Sequence, residues 1–197
     1  MFAPPVTQAL LIANVVVYLL QQMNGSPVDE WFALWPPGGF ESRFQVWQLL
    51  TYSFLHASTM HILFNMLGLY TFGADLERLF GSRFFALYYL ASVLSAGVLH
   101  LVITSWMGGP QVPTVGASGG VYGLLLAYGL YFPHRQLMLL IPPIPMKART
   151  FVIVFAVVEL FFGVTGTAKG VAHFAHLGGM LGGFLMLQYR RRVRPRS

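Results

Sequence analysis

The most constraining feature of this sequence is a run of 50 residues, 84–133, that contains no Asp, Glu, Lys or Arg. A helix needs about 20 mostly apolar residues to cross the ~30 Å hydrocarbon core of a membrane, so this run is long enough for two crossings. The segment GGPQVPT at 108–114 divides it, because Gly and Pro interrupt helices. Only 9% of the whole chain is charged, whereas soluble globular domains carry about 25%. The sequence therefore predicts an integral membrane protein.

Six segments are long and apolar enough, or nearly so, to span a membrane. Backbone polar groups at membrane depth must be satisfied within their own segment, so we expect each segment to be an α-helix. The predicted spans are approximately 5–23, 54–74, 84–106, 116–133, 150–166 and 171–189. The predicted fold is an all-α membrane protein, a six-transmembrane-helix bundle that forms a single domain over 1–197. The first span has no basic region before it, so we expect a retained helix rather than a cleaved signal peptide.

The basic residues are distributed unevenly between the two sides of the predicted bundle. The chain has twelve Lys and Arg residues. Ten of them follow spans 2, 4 and 6, namely Arg78, Arg83, Arg135, Lys147, Arg149, Arg190, Arg191, Arg192, Arg194 and Arg196. Because loops rich in Lys and Arg face the cytoplasm, we predict cytoplasmic termini and an external 24–53 connection. The net charge of +6 then reflects topology rather than nucleic-acid binding, and the basic tail 190–197 lies near anionic lipid.

Polar residues cluster at one depth of the predicted bundle. Ser118 opens span 4. His61 and Asn65 are four residues apart and so share one face of span 2. His173 and His176 are three apart in span 6. Each group lies near the start of a span that runs from outside to inside, and ionisable residues in membranes usually face a bundle interior or a water-filled cavity. We therefore expect these side chains to converge in the outer half of the bilayer.

Each of these features also has a simpler interpretation. The small residues of 116–119 are typical of a close helix-packing seam, and His61 with Asn65 could form interhelical hydrogen bonds. His173 and His176 could bind a metal, but they lack an H-E-x-x-H pattern or a nearby carboxylate. Helix packing alone does not need a nucleophile, a base and extra hydrogen-bond donors at one depth. The combination therefore favours a catalytic site.

Ser118 is the candidate nucleophile. The chain has no cysteine, which excludes thiolate catalysis and disulfides. Span 4 has only eighteen residues, or ~27 Å, so Ser118 is predicted to lie below the outer surface at a helix N-terminus whose free N–H groups suit an oxyanion. Glu159 is the only carboxylate predicted within the membrane, and it could orient a histidine or be protonated and hydrogen-bonded in the bundle. We favour a Ser–His dyad without an acid, with Tyr122 packing against the imidazole.

These residues resemble the rhomboid family of intramembrane serine proteases. The resemblance extends from about Trp47 to Gly183. It rests on HILFN (61–65), G-x-x-x-E-x-x-x-G (Gly73, Glu77, Gly81), GASG (116–119) and AHLGG (175–179). The sequence departs from the family at Gln48, which replaces the arginine of a W-R pair whose aromatic corresponds to Trp47.

The resemblance implies a role for each matched residue. Ser118 is the nucleophile, and His176 is the general base because it is the histidine followed by L-G-G. Tyr122 stacks on His176. Gly179 and Gly183 let the sixth helix approach the fourth closely enough for the hydrogen bond between nucleophile and base. The implied oxyanion hole is built from His61, Asn65 and the backbone N–H groups of Ala117 and Ser118.

The resemblance also implies an activity and its setting. The fold is of rhomboid type, with a lateral 24–53 loop and a cavity that opens to the outer face. The activity is that of a serine endopeptidase without cofactor or metal. Its partners are the lipid bilayer and single-span transmembrane substrates, which it cuts near the outer end of their helix. The fifth helix and the 105–115 loop could gate entry. Short loops and the basic tail favour a bacterial plasma membrane.

Two other functions are consistent with parts of the sequence. One is a catalytically inactive rhomboid-like protein that binds transmembrane clients, although the presence of both Ser118 and His176 argues against it. The other is a small transporter or metal-binding channel that uses the histidine cluster. A single mid-membrane carboxylate gives that function weak support.

Overall fold

Helices account for most of the chain, as the apolar runs predict. The computed structural model describes residues 3–23, 27–37, 43–108, 112–139, 142–167 and 172–193. Its helices are α1 (Pro5–Gln21), α2 (Val28–Phe32), α3 (Gln48–Thr51), α4 (Thr59–Phe80), α5 (Ser82–Trp106), α6 (Ser118–Tyr131), α7 (Ala148–Thr165) and α8 (His173–Val193). A short 3-10 turn, Tyr52–Phe54, follows α3. Two of the ten basic residues used in the charge argument, Arg194 and Arg196, lie outside the described residues.

Two of the described helices are long and apolar enough to cross a membrane by length and composition, α5 and α7. The helix α1 is apolar but shorter, with 17 residues. Each predicted span overlaps one of the six long helices, α1 and α4 to α8. The number of spanning helices therefore stays a prediction, whereas the mostly helical architecture is a property of the structure.

The ends of two helices differ from the sequence-based spans. Helix α4 begins at Thr59 rather than 54, because the hydroxyl of Ser58 accepts the His61 N–H at 3.2 Å and caps the helix. It continues to Phe80 and ends at Gly81, whose φ of +78° is a conformation that favours glycine. Helix α6 has 14 residues, which corresponds to ~21 Å, so the fourth helix is even shorter than predicted.

The prediction of a purely α-helical chain is wrong in one place. Strands β1 (Gln136–Leu139) and β2 (Ile144–Lys147) form an antiparallel pair between α6 and α7, with Gln136 opposite Lys147. Pro142 and Pro143 lie between the strands and prevent a helix there. The predicted 24–53 loop also contains secondary structure, since α2 and α3 lie within it.

Glycines bring α8 against α5 almost backbone to backbone. A Cβ added to Gly178 would lie 2.8 Å from the Ala96 Cα, and one on Gly182 would lie 2.6 Å from the Ala91 carbonyl oxygen. Real Cβ atoms do not approach backbone atoms so closely. Small residues at such an interface allow close van der Waals packing, which is the main attraction between helices in lipid.

The next two glycines of α8 face different helices. Gly179 packs on α6, because an added Cβ would lie 1.9 Å from the Gly119 carbonyl oxygen. Gly183 packs on α5 instead, where an added Cβ would lie 2.3 Å from the Tyr88 hydroxyl oxygen. Gly179 therefore lies where the expected close approach to α6 requires it, whereas the same role for Gly183 stays a prediction.

The buried carboxylate of Glu77 anchors the start of α1. Glu77 is 2% exposed. It accepts hydrogen bonds from the Val6 and Thr7 backbone N–H groups and from the Thr7 and Ser82 hydroxyls, at 2.6 to 3.0 Å. Gly73 leaves room for Thr7, since an added Cβ would lie 3.3 Å from that side chain. The G-x-x-x-E-x-x-x-G motif thus docks the free N–H groups of one helix onto another.

Gln48 organises the connection between α2 and α3. Its side chain is 1% exposed. The amide oxygen accepts the Trp35 and Gln45 N–H groups, both at 3.2 Å, and the amide nitrogen donates to the Trp31 and Arg43 carbonyls at 3.3 and 3.0 Å. The residue that departs from the family pattern therefore satisfies four backbone groups of this loop.

Candidate active site

Ser118 is the first residue of α6. The chain enters the helix through Gly116, whose φ of +131° excludes most side chains and whose N–H donates to the Tyr52 carbonyl at 3.0 Å. The first N–H groups of a helix have no intrahelical acceptor. Among the described residues, no acceptor takes the N–H of Ala117 or Ser118. The turn therefore presents free donors beside the serine hydroxyl.

His176 reaches Ser118 from α8. The distance between His176 Nε2 and Ser118 Oγ is 2.8 Å. His176 is 8% exposed, and the Tyr122 ring stacks on its face with centroids 4.1 Å apart and planes within 4°. The two rings are held together because Gly179, one turn after His176, lies against Gly119. The structure thus brings together the predicted nucleophile, base and stacking residue.

A carboxylate that the sequence analysis left out of the site contacts His176. Glu159 on α7 is 6% exposed. Its Oε1 lies 2.9 Å from His176 Nδ1 and accepts the Tyr122 hydroxyl, and its Oε2 lies 2.6 Å from His173 Nδ1. The contact with His176 is at ion-pair distance but is not aligned as a hydrogen bond. The structure therefore places a carboxylate beside the base, on the far side of the imidazole from Ser118, and the dyad itself stays a prediction.

The same three residues could hold a metal ion. One ligand atom from each of Glu159, His173 and His176 lies within 4.8 Å of the others, and all three side chains are buried. Imidazole nitrogens and a carboxylate oxygen are ligands that Zn²⁺ accepts. The sequence analysis found no carboxylate near the two histidines, and the structure corrects this point.

His61 and Asn65 lie on the other side of Ser118. His61 Nδ1 accepts the Ala57 N–H at 3.3 Å, so Nε2 carries the proton. This nitrogen faces the turn before Ser118, since a Cβ on Gly116 would lie 2.9 Å from it. Asn65 is 5% exposed and donates to the His61 carbonyl at 2.9 Å. Among the described residues, no hydrogen bond joins either side chain to Ser118.

Sequence reasoning did not single out two further histidines around the site. The His56 ring packs edge-on against His61, with centroids 5.1 Å apart. His100 on α5 lies 2.8 Å from the Thr114 hydroxyl through its Nε2, which ties α5 to the segment leading into Ser118. Since α5 runs from inside to outside in the predicted topology, a histidine near its end stands at the depth of the site. The position of His100 near the end of this helix was the sequence signal that could have placed it close to the site.

Comparison with known proteins is consistent with this geometry. A model of the rhomboid domain matches residues 43–192. The chain belongs to the rhomboid family. All the predicted site residues lie within the matched region, and rhomboid proteins are integral membrane proteins.

Several rhomboid proteases are similar over most of the chain. The chain is 29% identical over 187 residues to rhomboid protease GluP of Bacillus subtilis, covering 92% of the chain and 34% of that protein. It is 32% identical over 189 residues to rhomboid protease GlpG of Klebsiella pneumoniae, covering 93% and 62%. For rhomboid protease GlpG of Serratia proteamaculans the identity is 30% over 199 residues, covering 99% and 66%. The chain therefore spans between one third and just under two thirds of these relatives.

Proposed function

We propose that this rhomboid protein is an intramembrane serine endopeptidase. The observation that carries the proposal is the 2.8 Å distance between Ser118 Oγ and His176 Nε2, at a partly buried helix N-terminus. A serine hydroxyl becomes a nucleophile when a neighbouring base takes its proton. The similarity to rhomboid proteases supports the same activity.

The proposed reaction has two halves. In the first, His176 Nε2 accepts the hydroxyl proton while Ser118 Oγ attacks the scissile carbonyl carbon. The resulting oxyanion lies near the free N–H groups of Ala117 and Ser118 and the Nε2–H of His61, with Asn65 as a further donor. His176 then gives its proton to the leaving amine, and an acyl-serine remains. In the second half, a water that loses its proton to His176 hydrolyses this ester and restores the hydroxyl.

The proposed substrates are single-span membrane proteins cut near the outer end of their helix. A peptide bond inside a helix has its carbonyl and N–H engaged in hydrogen bonds. The attacked bond must therefore be extended, so residues that disfavour helix near the cleavage site should increase the rate.

We further propose six transmembrane helices, with both termini in the cytoplasm and a site that opens to the outer face. Three helices start at the site, because His61, Ser118 and His176 stand in the first turns of α4, α6 and α8. The basic side chains of α4 and α8 occupy the last turns of those helices. Positive charge thus gathers at the end away from the site, as the cytoplasmic side requires.

The absence of cysteine makes the topology directly testable. A single cysteine at Gln45 or at His134, both exposed, provides a unique label. We expect a membrane-impermeant maleimide to label Gln45→Cys in intact cells and His134→Cys only after the membrane is opened. The reverse pattern would contradict the proposed orientation.

A cleavage assay tests the activity. Detergent-solubilised protein is incubated with a single-span reporter, and wild type is compared with Ser118→Ala and His176→Ala. We expect cleavage by wild type and none by either variant at equal folded amounts. A protein that binds the reporter but never cleaves it would instead be the inactive client-binding relative.

Within the part of the chain that the structure describes, the buried cluster of Glu159, His173 and His176 is the observation that favours a metal-binding function. Stoichiometric metal in the purified protein, lost in His173→Ala, would support that alternative. A protease without metal should contain none and should cleave in the presence of a chelator.

A further inference from the structure

We infer that Glu159 is a positioning residue for His176, the base of the proposed Ser118–His176 dyad. The inference rests on the proposed protease function and names a residue that orients its base. It concerns a carboxylate on α7, a helix that contributes none of the residues matched by the family motifs.

The burial of Glu159 requires an explanation. A carboxylate is costly to place in a membrane unless it is paired, and this one is 6% exposed in a helix with hydropathy high enough to span a bilayer. Its described partners are Tyr122, His173 and His176, and none of them is Lys or Arg. A site residue and its stacking partner therefore compensate the charge, which links the carboxylate to the site rather than to general packing.

The two carboxylate oxygens are used separately. Oε2 faces His173 Nδ1 at 2.6 Å. Oε1 accepts the Tyr122 hydroxyl and lies 2.9 Å from His176 Nδ1. His173 and Tyr122 thus hold the carboxylate from two sides and orient Oε1 toward the base. His173 and the Tyr122 hydroxyl would thus act on His176 indirectly, by holding the Glu159 carboxylate in place.

The His176 ring is then fixed in three directions. Nε2 meets Ser118 Oγ at 2.8 Å, the ring face lies on Tyr122, and Nδ1 faces Glu159. A negative charge 2.9 Å from Nδ1 attracts a proton to that nitrogen, so an ionised Glu159 favours the tautomer with the proton on Nδ1 without an aligned hydrogen bond. That tautomer leaves the Nε2 lone pair free for the Ser118 proton, and the carboxylate stabilises the imidazolium that forms. A neutral amide in place of the Glu159 carboxylate favours neither this tautomer nor the imidazolium.

The primary test is Glu159→Gln, which keeps shape and removes charge. We expect kcat for reporter cleavage and the rate of Ser118 labelling by a fluorophosphonate to fall together by about 10²-fold or more, with KM within about twofold. Glu159→Asp keeps the carboxylate, and we expect it to recover about tenfold or more of the loss. A purely structural role would alter stability without this split between kcat and KM.

Glu77→Gln is the matched control. Glu77 is also a buried helical carboxylate, but it lies about 18 Å along α4 from Asn65 and contacts α1. We expect this variant to lose stability and to keep the wild-type labelling rate at temperatures where it remains folded. A loss of labelling equal to that of Glu159→Gln would overturn the inference.

A double-mutant cycle with Tyr122→Phe tests the coupling. The substitution keeps the ring that stacks on His176 and removes the hydroxyl that Glu159 accepts. If the hydroxyl acts through the carboxylate, the fold-loss in labelling rate of the double variant is smaller than the product of the fold-losses of the two single variants. Independent effects would overturn this part of the argument.

The remaining outcomes separate this inference from the proposed function. Full activity in Ser118→Ala would refute the protease proposal itself. If Ser118→Ala is inactive but Glu159→Gln keeps the wild-type kcat and labelling rate, only the positioning role of Glu159 is refuted. Loss of wild-type activity in a chelator, restored by Zn²⁺, would show that the cluster holds a metal and would also overturn the inference.

Discussion

Gly179→Ala is the substitution whose effect on the site follows most directly from the structure. An added Cβ would lie 1.9 Å from the carbonyl oxygen and 2.7 Å from the carbonyl carbon of Gly119. Both are backbone atoms of α6, so no flexible side chain can move aside. Because real Cβ atoms keep about 3 Å or more from such atoms, α8 must move about 1 Å or more away from α6.

That displacement acts on the distance between nucleophile and base. Gly119 follows Ser118 directly, and Gly179 is one turn after His176, so the shift extends the 2.8 Å contact between Oγ and Nε2. A separation of about 3.8 Å is beyond hydrogen-bond range. A 1 Å misplacement of reacting groups costs about 10²-fold in rate. Overpacking also lowers the free energy of unfolding by about 1–3 kcal/mol.

The assay is the rate at which a fluorophosphonate labels Ser118 in folded, detergent-solubilised protein. We expect Gly179→Ala to label about 10²-fold more slowly than wild type. Gly97→Ala is the matched control, because its Cβ would meet only side-chain atoms, of Leu49, Leu34 and Tyr52, at 3.3 to 3.4 Å. Wild-type labelling by a folded Gly179→Ala would refute the claim that this helix contact sets the geometry of the site.

Two further substitutions test the scaffold around the site. We expect Gln48→Ala to lower the free energy of unfolding by about 1–3 kcal/mol, because it leaves loop N–H and carbonyl groups without partners. Gln45→Ala, with an exposed side chain, should change it by less than about 0.5 kcal/mol, and equal effects would contradict the account. We expect Glu77→Gln to lower it by about 2–3 kcal/mol, since one carboxylate oxygen that accepts α1 donors is replaced by a donor. Unfolding of wild type and variants in a denaturing detergent measures both effects, and an unchanged Glu77→Gln would show that the motif does not anchor α1.

The sequence was informative where function depends on the start of a helix. Ser118 could be assigned to a helix N-terminus because Gly and Pro precede it and an apolar run follows it. The correct start of α4 was also accessible, since Ser58 is a typical capping residue. The predicted span began at residue 54 instead, and the structure places Phe54 at the end of a 3-10 turn before the helix.

The orientation of side chains in the middle of a helix was harder to predict. Glu159 was recognised as the only mid-membrane carboxylate, but its neighbours depend on the rotation of α7. That rotation is set by packing, for example of Gly163 against the Phe174 ring, with 3.2 Å from an added Cβ to the ring. The close contact of Gly183 with the Tyr88 hydroxyl was not predicted for the same reason, because it depends on how α8 crosses its neighbours.

The hairpin between α6 and α7 was missed for a different reason. Its strands have four residues each, and one of them contains Pro145. Segments this short carry little periodicity, and proline is tolerated in such a strand only at an edge. The register that pairs Leu137 with Met146 is also not specified by residue types alone.

The most direct measurement of the central claim is to map the fluorophosphonate adduct by mass spectrometry in wild type, Ser118→Ala and His176→Ala. If His176 activates Ser118, the wild-type protein carries one adduct, on the peptide that contains Ser118, and neither variant carries it at the same exposure. An adduct on another residue, or labelling of His176→Ala at the wild-type rate, would contradict the account.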